Sequence, residues 1–152
     1  MEPEETNDSP YTWHFAHGVD EKRRVQIPAT WRPEGGAVEF TLVLWPKYRE
    51  GACVRVLPPK QMAKLRMQIE GLAPDKKGLL KQFIIGPGSF KTVLDKAGRI
   101  ILPEQMAQEA GIKDQAILLG MVDWFEIWEP ERYNKIHAAH KTAASDALNL
   151  VE

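Results

Sequence analysis

Asp20 and Arg24, and again Asp95 and Arg99, stand four residues apart inside one shared string, apolar-Asp-x-x-x-Arg-apolar-x-apolar-Pro, at Val19–Pro28 and at Leu94–Pro103. A carboxylate at the head of a tight turn accepts backbone N–H groups, and an arginine four residues on can close over it. The bland outcome is a structural clasp. In the sharper one the aspartate organises the turn while the arginine projects, its planar fork suited to two-point contact with phosphate oxygens or guanine edges. Lys22, Arg23 and Lys96 lie in the same turns and could hold phosphates. The two outcomes are compatible. Gly98 suits a turn with φ > 0, which glycine adopts at no steric cost. Its counterpart is Arg23, where the same backbone costs roughly 1–2 kcal/mol; an extra cation at a tip facing a polyanion is a reason to keep it.

Other groups with chemical potential are weaker. His14 and His17 are three apart in a probable strand, so they point to opposite faces and do not converge on a metal. His137 and His140 could share a helix face, but only alanines separate them and no Cys, Asp or Glu joins that face, which reads as a solvated or contact surface. Cys53, the single cysteine, excludes an intrachain disulfide and reads as a plain strand residue in a reducing compartment. Ser89 has no base beside it, and Gly86-Pro-Gly88 is a turn rather than a phosphate loop. No catalytic set, metal site, cofactor or small-molecule substrate is implied.

The 152 residues are 43% hydrophobic and 27% charged, enough for a buried core and too apolar for disorder. No apolar run is long enough for a membrane span, and the acidic start is no signal peptide. The net charge is −1, yet residues 1–8 carry −4, leaving +3 for the rest. His17–Arg32 and Lys91–Pro103 each carry +2. Weak total charge with two matching basic segments suits a protein that holds an anion at repeated local sites.

These turns need elements to position them, and the chain supplies the same set twice. Val54–Leu65 lines up with Phe125–Ile136, placing Pro59 on Pro130, Met62 on Tyr133 and Lys64 on Lys135. The offset falls from 75 residues at the first string to 71 here, so the second copy has lost four residues between. Each copy reads as an approach strand (Tyr11–His17; Phe90–Leu94), the turn, a short alternating strand (Val25–Ile27; Ile100–Leu102), and a proline-started helical turn, the second over Glu104–Ala110 with Gly111 as its stop. A hairpin follows (Val38–Leu44 with Ala52–Leu57; Ala116–Leu119 with Trp124–Trp128), then a closing helix, Pro59–Glu70 in the first copy and one beginning at Pro130 in the second. Trp124, Ile127 and Trp128 read as core or subunit contact.

The expected division is an acidic disordered extension over 1–10, a first repeat over 11–72, a linker over 73–88, a second repeat over 89–141 and a loosely held tail over 142–152. Within the linker, 73–77 reads as a polar turn and 78–85 as a short helix. So small a unit has little core of its own, and the fold class expected is α+β: two β-rich repeats packed as one pseudo-two-fold body with short peripheral helices.

The residues His17–Arg32, Asp95–Pro103, Ala110–Ile112 and Phe125–Glu129 resemble the MraZ family of bacterial transcriptional regulators, from about Trp13 to Tyr133. The resemblance implies two tandem AbrB/SpoVT-type repeats. It implies assembly into closed homo-oligomeric rings in the cytoplasm, at the nucleoid, and sequence-specific binding to direct repeats in promoter double-stranded DNA. Such members usually repress a division and cell-wall gene cluster. It places Asp20, Arg24, Asp95 and Arg99 on the DNA-facing surface, with Lys22 and Lys96 as neighbours. Members usually carry glycine where Arg23 stands, and usually begin a few residues before the first strand. A second reading, from antitoxins of related fold, is a protein-interaction module whose C-terminal segment would bind its partner; His140–Glu152 is short and only mildly amphipathic for that role.

Overall fold

The computed structural model describes residues 10–33, 38–46, 48–49 and 51–151; the acidic residues Glu2, Glu4, Glu5 and Asp8 lie outside them. Among the described residues eight strands form in chain order: β1 (His14–Gly18), β2 (Arg24–Gln26), β3 (Glu39–Trp45), β4 (Cys53–Leu57), β5 (Ser89–Val93), β6 (Arg99–Ile101), β7 (Gln115–Gly120) and β8 (Phe125–Trp128). Four helices accompany them: α1 (Pro59–Glu70), α2 (Pro74–Leu80), α3 (Glu104–Ala110) and α4 (Pro130–Ala147). The expected α+β body of two equivalent halves is what forms.

Six strands make one antiparallel sheet in the order β1-β7-β8-β4-β3-β5, while β2 and β6 pair separately as a two-stranded ribbon. In terms of the duplication, β1 matches β5, β3 matches β7 and β4 matches β8, so the sheet order maps onto its own reverse. The first strand of each half therefore pairs with the hairpin of the other: β1 with β7, and β5 with β3. The axis of this pseudo-symmetry can be located from the register. Val25 faces Ile100 in the ribbon, and Arg55 faces Glu126 where β4 meets β8. Each of these is a pair of counterparts, at offsets of 75 and 71 residues, so the axis runs between both pairs.

Alternation along the strands sorts side chains onto two faces. Phe40, Leu42, Val54, Val56, Leu118, Phe125 and Ile127 join Val25 and Ile100 from the ribbon and Met106, Ala107 and Ala110 from α3 in the main core. Trp31 sits in it too, on a 3-10 turn (Ala29–Trp31) that follows Pro28, its indole Nε1–H donating to the Thr12 carbonyl at 3.0 Å. On the other face Val43, Leu57 and Met62 form a smaller cluster with Trp45, Leu65 and Trp124.

That second face carries the one fully buried acid of the described core. Glu126 is 1% exposed and faces Arg55, whose Nε donates to its Oε2 at 2.9 Å. Trp128 Nε1 donates to Oε1 at 3.0 Å and Trp124 Nε1 to Oε2 at 3.2 Å. The Arg55 guanidinium lies 3.9 Å from the ring centre of Trp45 and 4.7 Å from that of Trp124. A buried pair survives only when its remaining hydrogen-bonding capacity is met in this way.

The closing helices begin as expected on Pro59 and Pro130, where a missing N–H is harmless. Met62 and Ile69 are the buried residues of α1. Gly111 ends α3 in the left-handed conformation, φ 72°. One expectation is corrected. Residues 73–77 are no polar turn: Pro74 opens α2 with Asp75 in its first turn, and the helix runs on through a wider turn at Lys81–Ile85. The chain beyond Thr142, expected as a loosely held tail, is helical and exposed throughout. Helix α4 continues to Ala147 and a 3-10 turn covers Leu148–Leu150, although α4 buries no residue; alanines at 138, 139, 143, 144 and 147 favour helix without burial.

Removing one partner of the Arg55–Glu126 pair leaves an uncompensated charge inside. Glu126→Leu is expected to lose about 3–5 kcal/mol in urea unfolding, and Arg55→Met with Glu126→Leu together much less than the sum of the two single changes.

Candidate DNA-binding face

The two Asp-x-x-x-Arg strings fold into near-identical turns. Asp20 Oδ1 accepts from the backbone N–H of Lys22 at 2.9 Å and of Arg24 at 2.8 Å, and Oδ2 accepts from Arg24 Nε at 2.6 Å. Asp95 Oδ1 accepts from Ala97 and Arg99 N–H, both at 2.9 Å, and Oδ2 from Arg99 Nε at 3.0 Å. The backbone closes alike: Asp20 N–H donates to Arg24 O and Asp95 N–H to Arg99 O. Both carboxyls are held below the ordinary aspartate range, chiefly by the backbone N–H of Arg24 and Arg99 respectively, then by the arginine side chains.

The clasp and the projecting arginine coexist. Each aspartate engages its arginine through Nε, and among the described residues no side-chain bond of Arg24 or Arg99 uses the terminal nitrogens. The side chains keep 29% and 31% exposure. They are thus oriented by the carboxylates but not shut away from solvent.

Register brings the two turns to one surface. Directly opposed residues of an antiparallel pair share a face. Arg24 opposes Ile101 and Gln26 opposes Arg99, so these four side chains form one face of the ribbon, while Val25 and Ile100 turn the other way into the core. Arg24 and Arg99 occupy diagonal corners, about 7–8 Å apart at the backbone. Lys22 and Lys96 lie exposed in the flanking turns.

Gly98 adopts φ 79° and Arg23 φ 60°, so the left-handed backbone expected at Arg23 is present. The side chain does not project from the tip, however. Its Nε donates to the Leu102 carbonyl across the ribbon at 3.2 Å. At the related position, the Ile27 carbonyl accepts from Arg32 Nε at 2.9 Å, and the Arg32 guanidinium lies against Gly98, where an added Cβ would meet Cζ at 2.5 Å. Ile27 and Leu102 are counterparts, as are Gly98 and Arg23, and as are Arg32 and Ala107. One guanidinium thus serves each ribbon carbonyl, supplied from outside the turn in one case and from within it in the other. The intramolecular bond offsets the strain at Arg23.

Gln26 adds a further tie, its Nε2 donating to the Ala97 carbonyl at 2.7 Å. Neither Arg32 nor Gln26 stands out in the sequence. The signal for Arg32 was available as the pairing of a missing glycine at 23 with a missing arginine at 107. The histidines on β1 alternate faces, His14 exposed and His17 half-buried. No helix among the described residues is long and apolar enough to cross a membrane.

Because both carboxyls have lowered values, the clasps contribute stability that is complete above the ordinary aspartate value of about 3.9 and is lost as pH falls through the lowered values. Carboxyl-carbon NMR titration is expected to show Asp20 and Asp95 with midpoints below that value, and the turn amides of Arg24 and Arg99 shifting with the same midpoints.

Residues 87–149 match the family model described as "MraZ protein, putative antitoxin-like". The chain is 35% identical over 140 residues, 90% of its own length and 93% of the relative's, to the protein named Transcriptional regulator MraZ from Rickettsia rickettsii (strain Sheila Smith). It is 34% identical, with the same coverage, to the protein of that name from Rickettsia africae (strain ESF-5). With the protein of that name from Rickettsia typhi (strain ATCC VR-144 / Wilmington) it shares 34% identity over 124 residues, 80% of this chain and 82% of the relative. Similarity at this level across nine-tenths of the chain means that it belongs to the MraZ family, whose members named here are transcriptional regulators.

Proposed function

We propose that this protein is a sequence-specific DNA-binding regulator, acting without enzymatic chemistry, in which the outer face of the β2–β6 ribbon enters the major groove. The observation that carries this reading is the convergence of Arg24 and Arg99 on one solvent-facing surface, each fork held by a carboxylate through Nε alone. A two-stranded ribbon fits the major groove, and a guanidinium held in place can meet the O6 and N7 edge of guanine at two points, a contact worth about 1–3 kcal/mol of discrimination. Lys22 and Lys96 would hold phosphates on either side. Asp20, Asp95 and Gly98 organise the turns, and Arg23 adds charge while bracing the ribbon.

Across the two turns, five cations (Lys22, Arg23, Arg24, Lys96, Arg99) face three carboxylates (Asp20, Glu21, Asp95), a net +2. One protomer therefore grips DNA weakly. We read the functional form as a closed ring of identical protomers on promoter direct repeats, where effective concentration multiplies a weak contact. Family resemblance supports this assembly, together with repression of a division and cell-wall gene cluster and a cytoplasmic, nucleoid-associated location.

A second reading keeps the antitoxin-like interaction module, favoured by the exposure of the whole chain from His137 to Val151. The double variant Arg24→Ala with Arg99→Ala separates the two. A regulator loses binding to the DNA upstream of its own gene in a gel shift while its assembly and melting temperature stay close to wild type. An interaction module keeps its partner. Replacing Lys22 and Lys96 by Ala should lower the salt dependence of binding by about one log unit per log salt for each phosphate contact removed.

A further inference from the structure

Ile101 is 49% exposed on the outer face of the ribbon, opposite Arg24, diagonal to Gln26 and two residues along the same strand from Arg99. An isolated exposed isoleucine needs no explanation in general, but its neighbours restrict what could cover this one. Any apolar partner that buried Ile101 would also bury Arg24 and Arg99, and desolvating two guanidinium groups is strongly unfavourable unless the partner supplies acceptors. The occupant must present acceptor edges on both diagonal corners and a small apolar surface beside them. The major groove of duplex DNA offers that combination in the guanine O6 and N7 atoms and the thymine C5-methyl group. RNA lacks the methyl and has a major groove too deep and narrow for side chains to read.

We infer that Ile101 is a specificity-determining residue that packs on a thymine methyl, and that its counterpart Gln26 makes the recognition directional. This rests on the DNA-binding reading of the ribbon. The pseudo-two-fold axis carries Arg24 onto Arg99, and alone would make each protomer read a palindromic element. It also carries Gln26 onto Ile101. The amide of Gln26 is anchored through nitrogen to the Ala97 carbonyl and offers its oxygen, an acceptor for adenine N6 or cytosine N4. The other corner offers only hydrocarbon. The two arginine contacts are thus flanked by a hydrogen-bond acceptor on one side and a methyl-reading surface on the other. An element read this way has a polarity, which a head-to-tail series of protomers requires of its repeats.

The experiment uses the full chain and duplexes that it recovers from a randomised DNA pool, resynthesised with either thymine or deoxyuridine at every thymine position. Wild type should bind the deoxyuridine duplex at least about fourfold more weakly, the value for one buried carbon. Ile101→Ala should bind the two duplexes equally, and Ile101→Val should keep a reduced penalty. Melting temperatures of both variants should match wild type, since the side chain is half in solvent. If Ile101→Ala binds neither duplex, Ile101→Val carries the test, and a penalty undiminished there overturns the proposal. Equal penalties in wild type and Ile101→Ala, or none in wild type, overturn it while DNA binding itself stands. If wild type enriches no duplex at all, the inference falls together with the reading it rests on.

Discussion

Each half of this chain lends its first strand to the hairpin of the other, and everything else in the fold follows from that exchange. β1 completes the sheet beside β7, and β5 completes it beside β3. Between the exchanged strands the chain must cross to the opposite side of the core, and it does so through β2 and β6. These two short strands can pair only with each other. The ribbon is thereby fixed at the axis, its inner residues Val25 and Ile100 fully buried and its outer residues forced into solvent. A functional surface on the ribbon is thus a by-product of how the two halves close.

The turns that enter the ribbon are rigid because their donors are consumed. Each aspartate takes two backbone N–H groups and one guanidinium N–H, so the tight backbone bend is satisfied from its own side chain. The arginine thereby loses rotamer freedom before any ligand arrives, which reduces the ordering cost of a later contact. The bracing of the ribbon carbonyls by Arg23 and Arg32 acts in the same direction.

Much of this was legible in the sequence. The duplicated string located both turns, the proline starts of α1 and α4 were correctly placed, and α3 occupies the residues expected. Local chemistry fixes such features. The direction of the Arg23 side chain was not legible, because the carbonyl that holds it comes from residue 102, paired only in the folded ribbon. Nor was the role of Glu126, which an alternating strand pattern treats as a solvent position; it is buried because β8 lies in mid-sheet with both faces covered. Helix over 74–80 and beyond 142 was missed where a polar run looked like a turn and an alanine-rich run looked like a frayed end.

The charge pair on the axis has a consequence for how the halves can pair. In a symmetric dimer of identical half-chains, the residue at that point would meet a copy of itself. Two arginines or two glutamates would then be confined together out of water. With two different sequences for the halves the positions can differ, as Arg55 and Glu126 do, and neither half is then suited to pair with a copy of itself at this point. The pair thus favours the two unlike halves held in one chain over two copies of either, and halves that are not interchangeable can carry different outward residues, as Gln26 and Ile101 do.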